Sequence, residues 1–243
     1  MSEPPDNPSA PGMPEGHVFI VTYGRSGSTL LQNLLNHIDG YCIRGENNNA
    51  LFHLARGWDA LAAAEQIRGQ RAALETCGTM TAPDHPWYGA EDVEPDELGR
   101  ALAASFVRTV LRPPKGTRVA GFKEIRFHLA GPHLEAYTGF LTRFFPRARF
   151  VFNTRDHAAV ARSGWWAQMD PDKVRRQLEA AEEGFAKMRA LLGDRAIALH
   201  YDDYVGRPEA LEPLFDFLGE PFDAERVRAI TERRLVHTGV KEQ

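Results

Sequence analysis

The sequence is poor in cysteine, has no long hydrophobic run and carries no excess of positive charge. Its 243 residues include 2 cysteines, Cys42 and Cys77, too few for the disulfide framework of a small secreted scaffold. No stretch reaches the roughly 18 consecutive apolar residues typical of a membrane-spanning helix, and the N-terminus lacks the basic-then-apolar pattern of a secretory signal. We therefore expect a cytoplasmic protein with free thiols and no membrane span.

The charge balance limits the class of binding partner. A formal net charge of −4 argues against a general nucleic-acid-binding protein, because such domains are usually basic. It allows a local basic pocket for a small anion. No cluster of histidine and cysteine has the spacing of a zinc site, so the sequence indicates no metal centre.

Composition and length are those of an ordinary globular protein. The chain is 43% hydrophobic and 26% charged, and its 243 residues suit a single domain. Residues 1–16 are rich in Pro, Ser, Asp and Glu and contain few bulky apolar groups, which predicts a disordered leader. We expect residues 17–243 to form one domain.

Short apolar runs alternate with amphipathic segments along this predicted domain. The runs predict buried parallel strands at residues 18–21, 118–122, 149–153 and 196–200. Apolar residues at helical spacing predict helices over residues 95–111 and 171–192 and around residues 211–218. Strands that alternate with helices predict an α/β fold of three layers, a central parallel sheet flanked by helices.

A glycine-rich loop joins the first predicted strand to a helix that begins near Ser28. Gly24 and Gly27 permit a tight turn and a close backbone approach, and successive N–H groups at a helix start form an anion cradle. Ser28 and Thr29 add hydroxyl donors, and Arg25 adds a permanent positive charge. Because the Gly-Lys-Ser/Thr ending of a Walker A motif is missing, the spacing alone leaves a phosphate-binding loop and a structural turn both open.

Arg155 follows the strand predicted at residues 149–153, at the edge where open parallel sheets bind ligands. Ser163 comes eight residues later, and we predict that it lies on a helix that begins near His157. A helix rises about 1.5 Å per residue, so both side chains can reach one phosphate from either side. Alone, an arginine at a strand end is commonly a surface or packing residue, but beside the glycine-rich loop it is a second phosphate-binding candidate.

Three segments of the chain resemble motifs of one enzyme family. Residues 23–31 look like the 5′-phosphosulfate loop of sulfotransferases that use 3′-phosphoadenosine 5′-phosphosulfate (PAPS), especially the Golgi-type and bacterial carbohydrate enzymes. Arg155 with Ser163 resembles the family's 3′-phosphate motif. Residues 200–219 contain His-Tyr-Asp-Asp-Tyr, then Pro, then Phe-Leu-Gly, which is similar to the family's Tyr-Glu-Asp-Leu, Pro and Phe-Leu-Gly. The segments follow the family's order and together cover about residues 17–220.

The resemblance implies a P-loop-related fold, PAPS as donor and 3′-phosphoadenosine 5′-phosphate (PAP) as product, with no metal required. It assigns the 5′-phosphate and the sulfuryl group to Gly24, Arg25, Ser26, Gly27, Ser28 and Thr29. It assigns the 3′-phosphate to Arg155 and Ser163, and a nucleotide contact to Tyr201. The chain departs from the family in two respects, since many cytosolic members have Lys where Arg25 stands and their Lys-x-His element is absent here.

Sulfuryl transfer needs a base for the acceptor hydroxyl and positive charge for the sulfuryl oxygens and the leaving phosphate. For the positive charge we select Arg25 and Lys123. Lys123 follows the strand predicted at residues 118–122 and so projects at the same sheet edge. The segment 121–124 resembles the position of a leaving-group lysine in related enzymes, and a solvated lysine after a strand is the alternative.

Glu46 is the candidate general base. It follows a short apolar segment, residues 41–44, and its Gly-Glu pair resembles that of tyrosylprotein and several bacterial sulfotransferases, where the acid is the base. Glu124 and His128 are rival bases. Histidine has the more convenient pKa, but His128 lacks the spacing from Lys123 that cytosolic members of the family show.

A small-molecule kinase that uses ATP and Mg²⁺ is the alternative function, because it would share the anion loop. A kinase would also need the missing Walker lysine and an acidic metal ligand at a strand end, for which Asp156 is the candidate. The expected partner is a hydroxyl acceptor, either a carbohydrate, a glycolipid or a small metabolite. Trp165 and Trp166 fit a core position and an acceptor platform equally well. The oligomeric state and the roles of residues 76–95 and 235–243 stay open.

Overall fold

The computed structural model describes residues 13–232, and its centre is a sheet of five parallel strands. The strands are β1 (Gly16–Thr22), β2 (Tyr41–Arg44), β3 (Val119–Glu124), β4 (Ala148–Thr154) and β5 (Ala196–His200). Their order in the sheet is β2-β3-β1-β4-β5, and each neighbouring pair runs parallel. β1 is therefore the central strand, and all of its residues are buried.

Ten α-helices accompany this sheet in the described part of the chain. They are α1 (Ser28–Leu35), α2 (Ala50–Ala62), α3 (Glu65–Cys77), α4 (Pro95–Phe106), α5 (Leu134–Phe144), α6 (His157–Ala161), α7 (Pro171–Leu192), α8 (Tyr201–Tyr204), α9 (Glu212–Leu218) and α10 (Ala224–Thr231). The longest, α7, has the predicted bounds. Asp170 caps it by accepting a hydrogen bond of 2.9 Å from the N–H of Lys173, and Pro171 occupies its first turn.

Alternate side chains of β1 enter two separate hydrophobic cores. Phe19 and Val21 lie in the larger core, which α2, α4, α5 and α7 cover. Val18 and Ile20 lie in the smaller core, which α1, α9 and α10 cover. The predicted three-layer α/β architecture is confirmed, because both faces of the sheet are packed against helices.

The predicted elements are confirmed with shifts at their ends. β1 and β4 extend beyond the predicted strands at both ends, β3 begins one residue later and ends two residues later than predicted, and β5 has the predicted bounds. The helix predicted over residues 95–111 ends as α4 at Phe106 and continues as a π-helical turn, Val107–Leu111. β2 is an addition, because residues 41–44 were expected only as a short apolar segment. This strand has 4 residues and, within residues 13–232, pairs with β3 alone. Its pattern in the sequence is therefore weak.

One helix is shorter than the sequence predicts. α6 ends at Ala161, so Ser163 does not lie on it and instead has an extended backbone, with φ −117° and ψ 129°. A 3₁₀ turn follows at Gly164–Gln168. Within this turn Trp166 Nε1 donates a hydrogen bond of 3.0 Å to the carbonyl oxygen of Gly24. This tertiary contact draws the chain toward the glycine-rich loop and out of the helical path.

Residues 76–95 are attached at the amino-terminal side of the sheet. The segment joins α3 to α4, and Thr81 Oγ1 donates a hydrogen bond of 2.8 Å to the buried Glu91. In the second turn of α4, Gly99 lies against the ring of Phe144, the last residue of α5. Because the chain passes from α5 into the first residues of β4, the end of α5 is near the edge at which the strands begin. The start of α4 is therefore near that same edge, opposite the edge at which the strands end.

None of the helices within residues 13–232 is both long and apolar enough to cross a membrane. Both cysteines are free, Cys42 buried and Cys77 exposed. Most of the predicted leader and residues 235–243 lie outside the described residues.

Candidate active site

Most predicted site residues lie at or just after the carboxyl-terminal ends of the strands. β1 leads into the loop of residues 23–27, and β2 leads to Glu46. Lys123 is the penultimate residue of β3. Arg155 follows β4, and Tyr201 follows β5. Because the strands are parallel, these ends meet at one edge of the sheet, where open α/β sheets bind ligands.

The glycine-rich loop makes a tight turn into α1. Gly27 caps the helix with φ +80°, and Arg25 also has a positive φ, +68°. A Cβ atom at Gly27 would lie 2.1 Å from the ring of Tyr201, and one at Gly24 would lie 2.3 Å from the ring of Trp165. Only glycine allows these approaches. In the first turn of α1 the N–H of Leu30 donates to the carbonyl oxygen of Gly27 at 2.9 Å. The two N–H groups before it, those of Ser28 and Thr29, are at the helix start, where helical partners are lacking, and they suit an anion.

Buried hydrogen bonds tie this loop to β4 and α8. Thr22 Oγ1 lies 2.6 Å from Ser26 Oγ and donates to the carbonyl oxygen of Asn153 at 2.7 Å. The Asn153 side chain donates to the carbonyl oxygen of Ser26 at 2.9 Å and accepts from the Tyr204 hydroxyl at 2.8 Å. The Ser26 hydroxyl is therefore used inside the protein, where Ser26 is completely buried.

Thr22, Asn153 and Tyr204 were not predicted from the sequence as members of this network. A signal was present, because Thr22 and Asn153 are polar residues within otherwise apolar strands. The two strands pair so that Thr22 and Asn153 are direct neighbours. Polar residues at adjacent positions of two buried strands indicate a hydrogen-bonded pair.

Tyr23 connects the start of the loop to the chain at Arg155. Its hydroxyl accepts a hydrogen bond of 2.9 Å from the N–H of Arg155 and donates one of 2.8 Å to Glu182 Oε1. Burial raises the pKa of Tyr23 and of Tyr204 above the ordinary value, so both hydroxyls stay protonated and donate. The backbone at Arg155 is thus fixed relative to the loop.

The two predicted phosphate-binding segments meet at their side chains. Arg25 Nε donates a hydrogen bond of 2.9 Å to Ser163 Oγ. Arg155 Nη1 donates one of 3.2 Å to the carbonyl oxygen of Arg25, and the Arg155 guanidinium lies 4.6 Å from the centre of the Tyr201 ring. The structure therefore brings Arg25, Arg155, Ser163 and Tyr201 into one cluster.

Arg155 retains a donor without a partner. Its Nε is buried and has no hydrogen-bond partner among residues 13–232. The carboxylate oxygen Oδ1 of Asp202 lies 4.0 Å away, which is beyond hydrogen-bond distance. A buried donor on a charged group is costly to leave unpaired. Arg155 thus carries an unpaired charged donor just after the end of β4.

Four charged side chains form a second group at the ends of β2 and β3, which we call the charge cluster: Glu46, Lys123, Glu124 and Arg126. Lys123 Nζ lies 2.8 Å from Glu46 Oε1. Arg126 Nη1 lies 3.2 Å from Glu46 Oε2 and 3.0 Å from Glu124 Oε1. Lys123 is largely buried, whereas 33% of the Glu46 side chain is exposed. The predicted base and the predicted leaving-group lysine are thus in direct contact.

Glu124 is completely buried, and both of its oxygens are occupied. Oε2 accepts hydrogen bonds from the N–H groups of Asn49 at 2.8 Å and Asn47 at 3.2 Å. Oε1 accepts one of 2.9 Å from the N–H of Ile125, in addition to the bond from Arg126. These contacts are those of an anchoring carboxylate, which weakens Glu124 as a rival base.

His128, the other rival base, packs against α7 beside Gly184 and Phe185. Burial lowers its pKa, so it is neutral at pH 7. Within residues 13–232, no hydrogen bond or ion pair joins it to Glu46 or Lys123. Among the three candidate bases, Glu46 is the one whose contact with Lys123 the described residues show.

Two tryptophans cover one side of the glycine-rich loop. Trp166 is partly buried against the larger core and bonds to the carbonyl oxygen of Gly24. Trp165 lies over Gly24 with 50% of its surface exposed. Trp166 thus combines a core contact with a loop contact, and Trp165 stands at the rim of the site.

The described residues contain no group of three or more His, Cys, Asp or Glu side chains arranged to hold a metal ion. Asp156, the metal ligand that a kinase would need, caps α6 by accepting a hydrogen bond of 2.7 Å from the N–H of Ala159. Its carboxylate therefore has a structural role at the start of that helix.

A model of the sulfotransferase family matches residues 17–224 of the chain. The match spans all five strands and includes the glycine-rich loop, the charge cluster, Arg155 and Ser163. Curated protein sequences give no significant match.

Solved structures with a similar fold include two bacterial proteins. The sulfotransferase domain of the Synechococcus PCC 7002 olefin synthase has a TM-score of 0.55 at 20% identity, over 88% of this chain and 76% of that chain. Sulfotransferase STF9 from Mycobacterium avium has a TM-score of 0.49 at 14% identity, over 96% of this chain and 70% of that chain. The first of these likenesses shows the P-loop-type fold.

Proposed function

We propose that this chain, which belongs to the sulfotransferase family, transfers the sulfuryl group of PAPS to the hydroxyl group of an acceptor. The hydrogen bond from Arg25 to Ser163 is the observation that carries the proposal. It joins the loop that resembles a 5′-phosphosulfate site to the segment that resembles a 3′-phosphate site. PAPS has separate phosphates on two carbons of one ribose, whereas the phosphates of ATP form a single chain. Two adjoining anion sites therefore suit PAPS better.

The nucleotide would be held by both segments. Residues 24–29 offer backbone N–H groups, hydroxyls and the Arg25 guanidinium to the 5′-phosphate and the sulfuryl group. Arg155, whose side chain is 26% exposed, offers its guanidinium to the 3′-phosphate, together with the Ser163 hydroxyl. Tyr201, which already lies against Gly27 and Arg155, flanks the nucleotide.

In the proposed reaction the acceptor oxygen attacks sulfur, and the bond from sulfur to the 5′-phosphate oxygen breaks. Glu46 takes the proton of the attacking hydroxyl. Arg25 and Lys123 stabilise the negative charge on the sulfuryl oxygens and on the leaving phosphate. PAP departs with the electron pair of the broken bond, and no metal ion is required for this charge balance.

We further propose that the acceptor is a carbohydrate, a glycolipid or a small metabolite. The support is the resemblance of residues 23–31 to the loops of bacterial and Golgi-type carbohydrate enzymes. The exposed Trp165 ring at the rim of the site is compatible with a sugar ring, since aromatic faces stack on apolar ring surfaces.

Thermal unfolding with PAP, ADP and ATP-Mg²⁺ tests the donor. A ligand at one hundred times its dissociation constant stabilises a protein by about 2.7 kcal/mol, which produces a clear shift of Tm. We expect a larger shift with PAP than with ADP, because ADP lacks the 3′-phosphate. Release of PAP from PAPS in the presence of a panel of hydroxyl acceptors then tests the transfer.

Two outcomes would contradict the proposal. A shift with ATP-Mg²⁺ but not with PAP would indicate a kinase. Absence of a shift with all three nucleotides would show that the two segments are structural turns.

A further inference from the structure

We propose that Glu124 and Arg126 are positioning residues for Glu46, and that Arg126 holds the Glu46 carboxylate while Lys123 is engaged with the leaving phosphate. This inference rests on the proposed function of Glu46 and Lys123. It starts from the charge cluster, in which one guanidinium bridges two carboxylates at 3.2 and 3.0 Å.

Glu124 fixes the backbone next to the base. Its buried carboxylate accepts the N–H groups of Asn47 and Asn49, which follow Glu46 by one and three positions. It is carried by β3, whose partner β1 leads directly into the glycine-rich loop. The backbone beside Glu46 is therefore held in a fixed position relative to the central strands, although β2 itself lies at the edge of the sheet.

Arg126 fixes the side chain of the base. Its Nη1 lies between Glu46 Oε2 and Glu124 Oε1, so Glu124 holds the guanidinium in place and the guanidinium holds Glu46. The Glu124 side chain is fully buried, whereas 35% of the Arg126 side chain is exposed. Arg126 thus links a rigid anchor inside the protein to a carboxylate that faces solvent.

The two cations on Glu46 contact different oxygens. Lys123 is on Oε1 and Arg126 is on Oε2. In the proposed reaction Lys123 must turn from Glu46 to the leaving phosphate. Without a second contact, the orientation of the Glu46 carboxylate would then no longer be fixed. The Arg126 contact on the other oxygen remains, and it keeps one oxygen of Glu46 free to accept the proton of the attacking hydroxyl.

Turnover of PAPS with water as the acceptor, measured as sulfate release, provides an assay that needs no identified acceptor. We expect Arg126→Gln to lower kcat by about tenfold or more, with PAP affinity unchanged within about threefold. Arg126→Lys should recover part of the loss, because it restores a cation without the two-sided bridge.

The matched control is Arg71→Gln. Arg71 also pairs with a carboxylate at 3.0 Å, that of Glu94, but it lies on α3, away from the strand ends. This variant should keep the wild-type kcat. A loss of activity in Arg71→Gln equal to that in Arg126→Gln would show a general effect of breaking an ion pair and would overturn the proposal.

A double-mutant cycle shows whether Arg126 acts through Glu46. If it does, Arg126→Gln causes no further loss of sulfate release in a Glu46→Gln background. An equal loss in both backgrounds would overturn the positioning role. If Glu46→Gln alone retains wild-type turnover, the proposed base is wrong. If Glu46→Gln is impaired and Arg126→Gln is not, the base stands and the present inference fails.

Amide hydrogen exchange tests the role of Glu124 without any substrate. Glu124→Gln should speed exchange at Asn49 and Asn47, because an acceptor oxygen becomes an amide donor, whereas Arg126→Gln should not. Unchanged exchange at both asparagines in folded Glu124→Gln would contradict the anchoring role. If that variant does not fold, the kinetic cycle at the partly exposed Arg126 still decides the proposal.

Discussion

Arg25 and Ser163 are 138 positions apart in the chain, and a hydrogen bond of 2.9 Å joins Nε of the first to Oγ of the second. Arg25 belongs to the turn between β1 and α1, and Ser163 to the extended residue after α6. The side chain from one proposed phosphate site thus touches the other site. We therefore expect a substitution in either phosphate site to affect phosphate binding at the other site as well.

Arg155→Ala should weaken PAP binding by about 10- to 100-fold, because a charge-assisted hydrogen bond contributes roughly 1.5–3 kcal/mol. Isothermal titration with PAP and ADP measures this loss. ADP binding should change much less, so that the preference for PAP falls. Arg175→Ala is the control, since Arg175 pairs with Asp172 on an exposed face of α7. Unchanged PAP affinity in Arg155→Ala would refute the 3′-phosphate assignment.

Glu46→Gln should lower turnover of PAPS by about 100-fold or more, as expected for a lost general base. PAP binding should survive, because most of the proposed nucleotide contacts lie at the ends of β1, β4 and β5. Comparison of kcat with PAP affinity separates these two effects. Wild-type turnover in this variant would transfer the role of base to His128 or Glu124.

Gly27→Ala should abolish nucleotide binding or prevent folding. Gly27 has φ +80°, and a Cβ atom there would lie 2.1 Å from Tyr201. The control is Gly57→Ala in α2, where a Cβ atom meets nothing within 4 Å. There alanine should raise the stability of the helix by up to about 1 kcal/mol. Thermal unfolding with and without PAP measures both effects. If Gly27→Ala had the same Tm and the same shift with PAP as Gly57→Ala, the requirement for glycine at position 27 would be contradicted.

His17 should make the protein sensitive to acid. Burial lowers its pKa from 6.5 to about 4, so between these values the unfolded chain binds a proton that the folded protein excludes. The free energy of unfolding therefore falls as pH decreases from about 6.5 toward 4, by up to about 3 kcal/mol. His17→Phe, in a site lined by Phe19 and Phe145, should flatten this dependence.

Denaturant unfolding at several pH values measures the effect of His17. His53→Gln is the control, because His53 is an exposed residue of α2. It should leave the pH dependence as in the wild type. An identical acid dependence in His17→Phe and the wild type would show that other groups cause the loss of stability.

The sequence allowed the layers and most elements to be predicted, because buried strands such as β1 are continuous apolar runs. The glycine-rich loop and Arg155 were identifiable from residue types next to such strands. The sequence also predicted that residues on different strands would meet at one edge, since parallel strands require it.

The partners within the site were not predictable in the same way. Arg126 is one of many arginines in the sequence, and only the folded chain shows that it bridges Glu46 and Glu124. The position of Ser163 was wrong because the contact of Trp166 with Gly24 overrides local helical spacing. Long-range contacts of this kind leave no periodic pattern.

The buried bonds among Thr22, Ser26, Asn153 and Tyr204 hold the glycine-rich loop in place through contacts within the protein itself. A preformed loop loses little chain entropy on binding, so its contacts contribute to affinity almost undiminished. The same rigidity limits the ligands that fit, because the spacing of the two anion sites is set by the protein. Selectivity between nucleotides then depends on the distance between their phosphates.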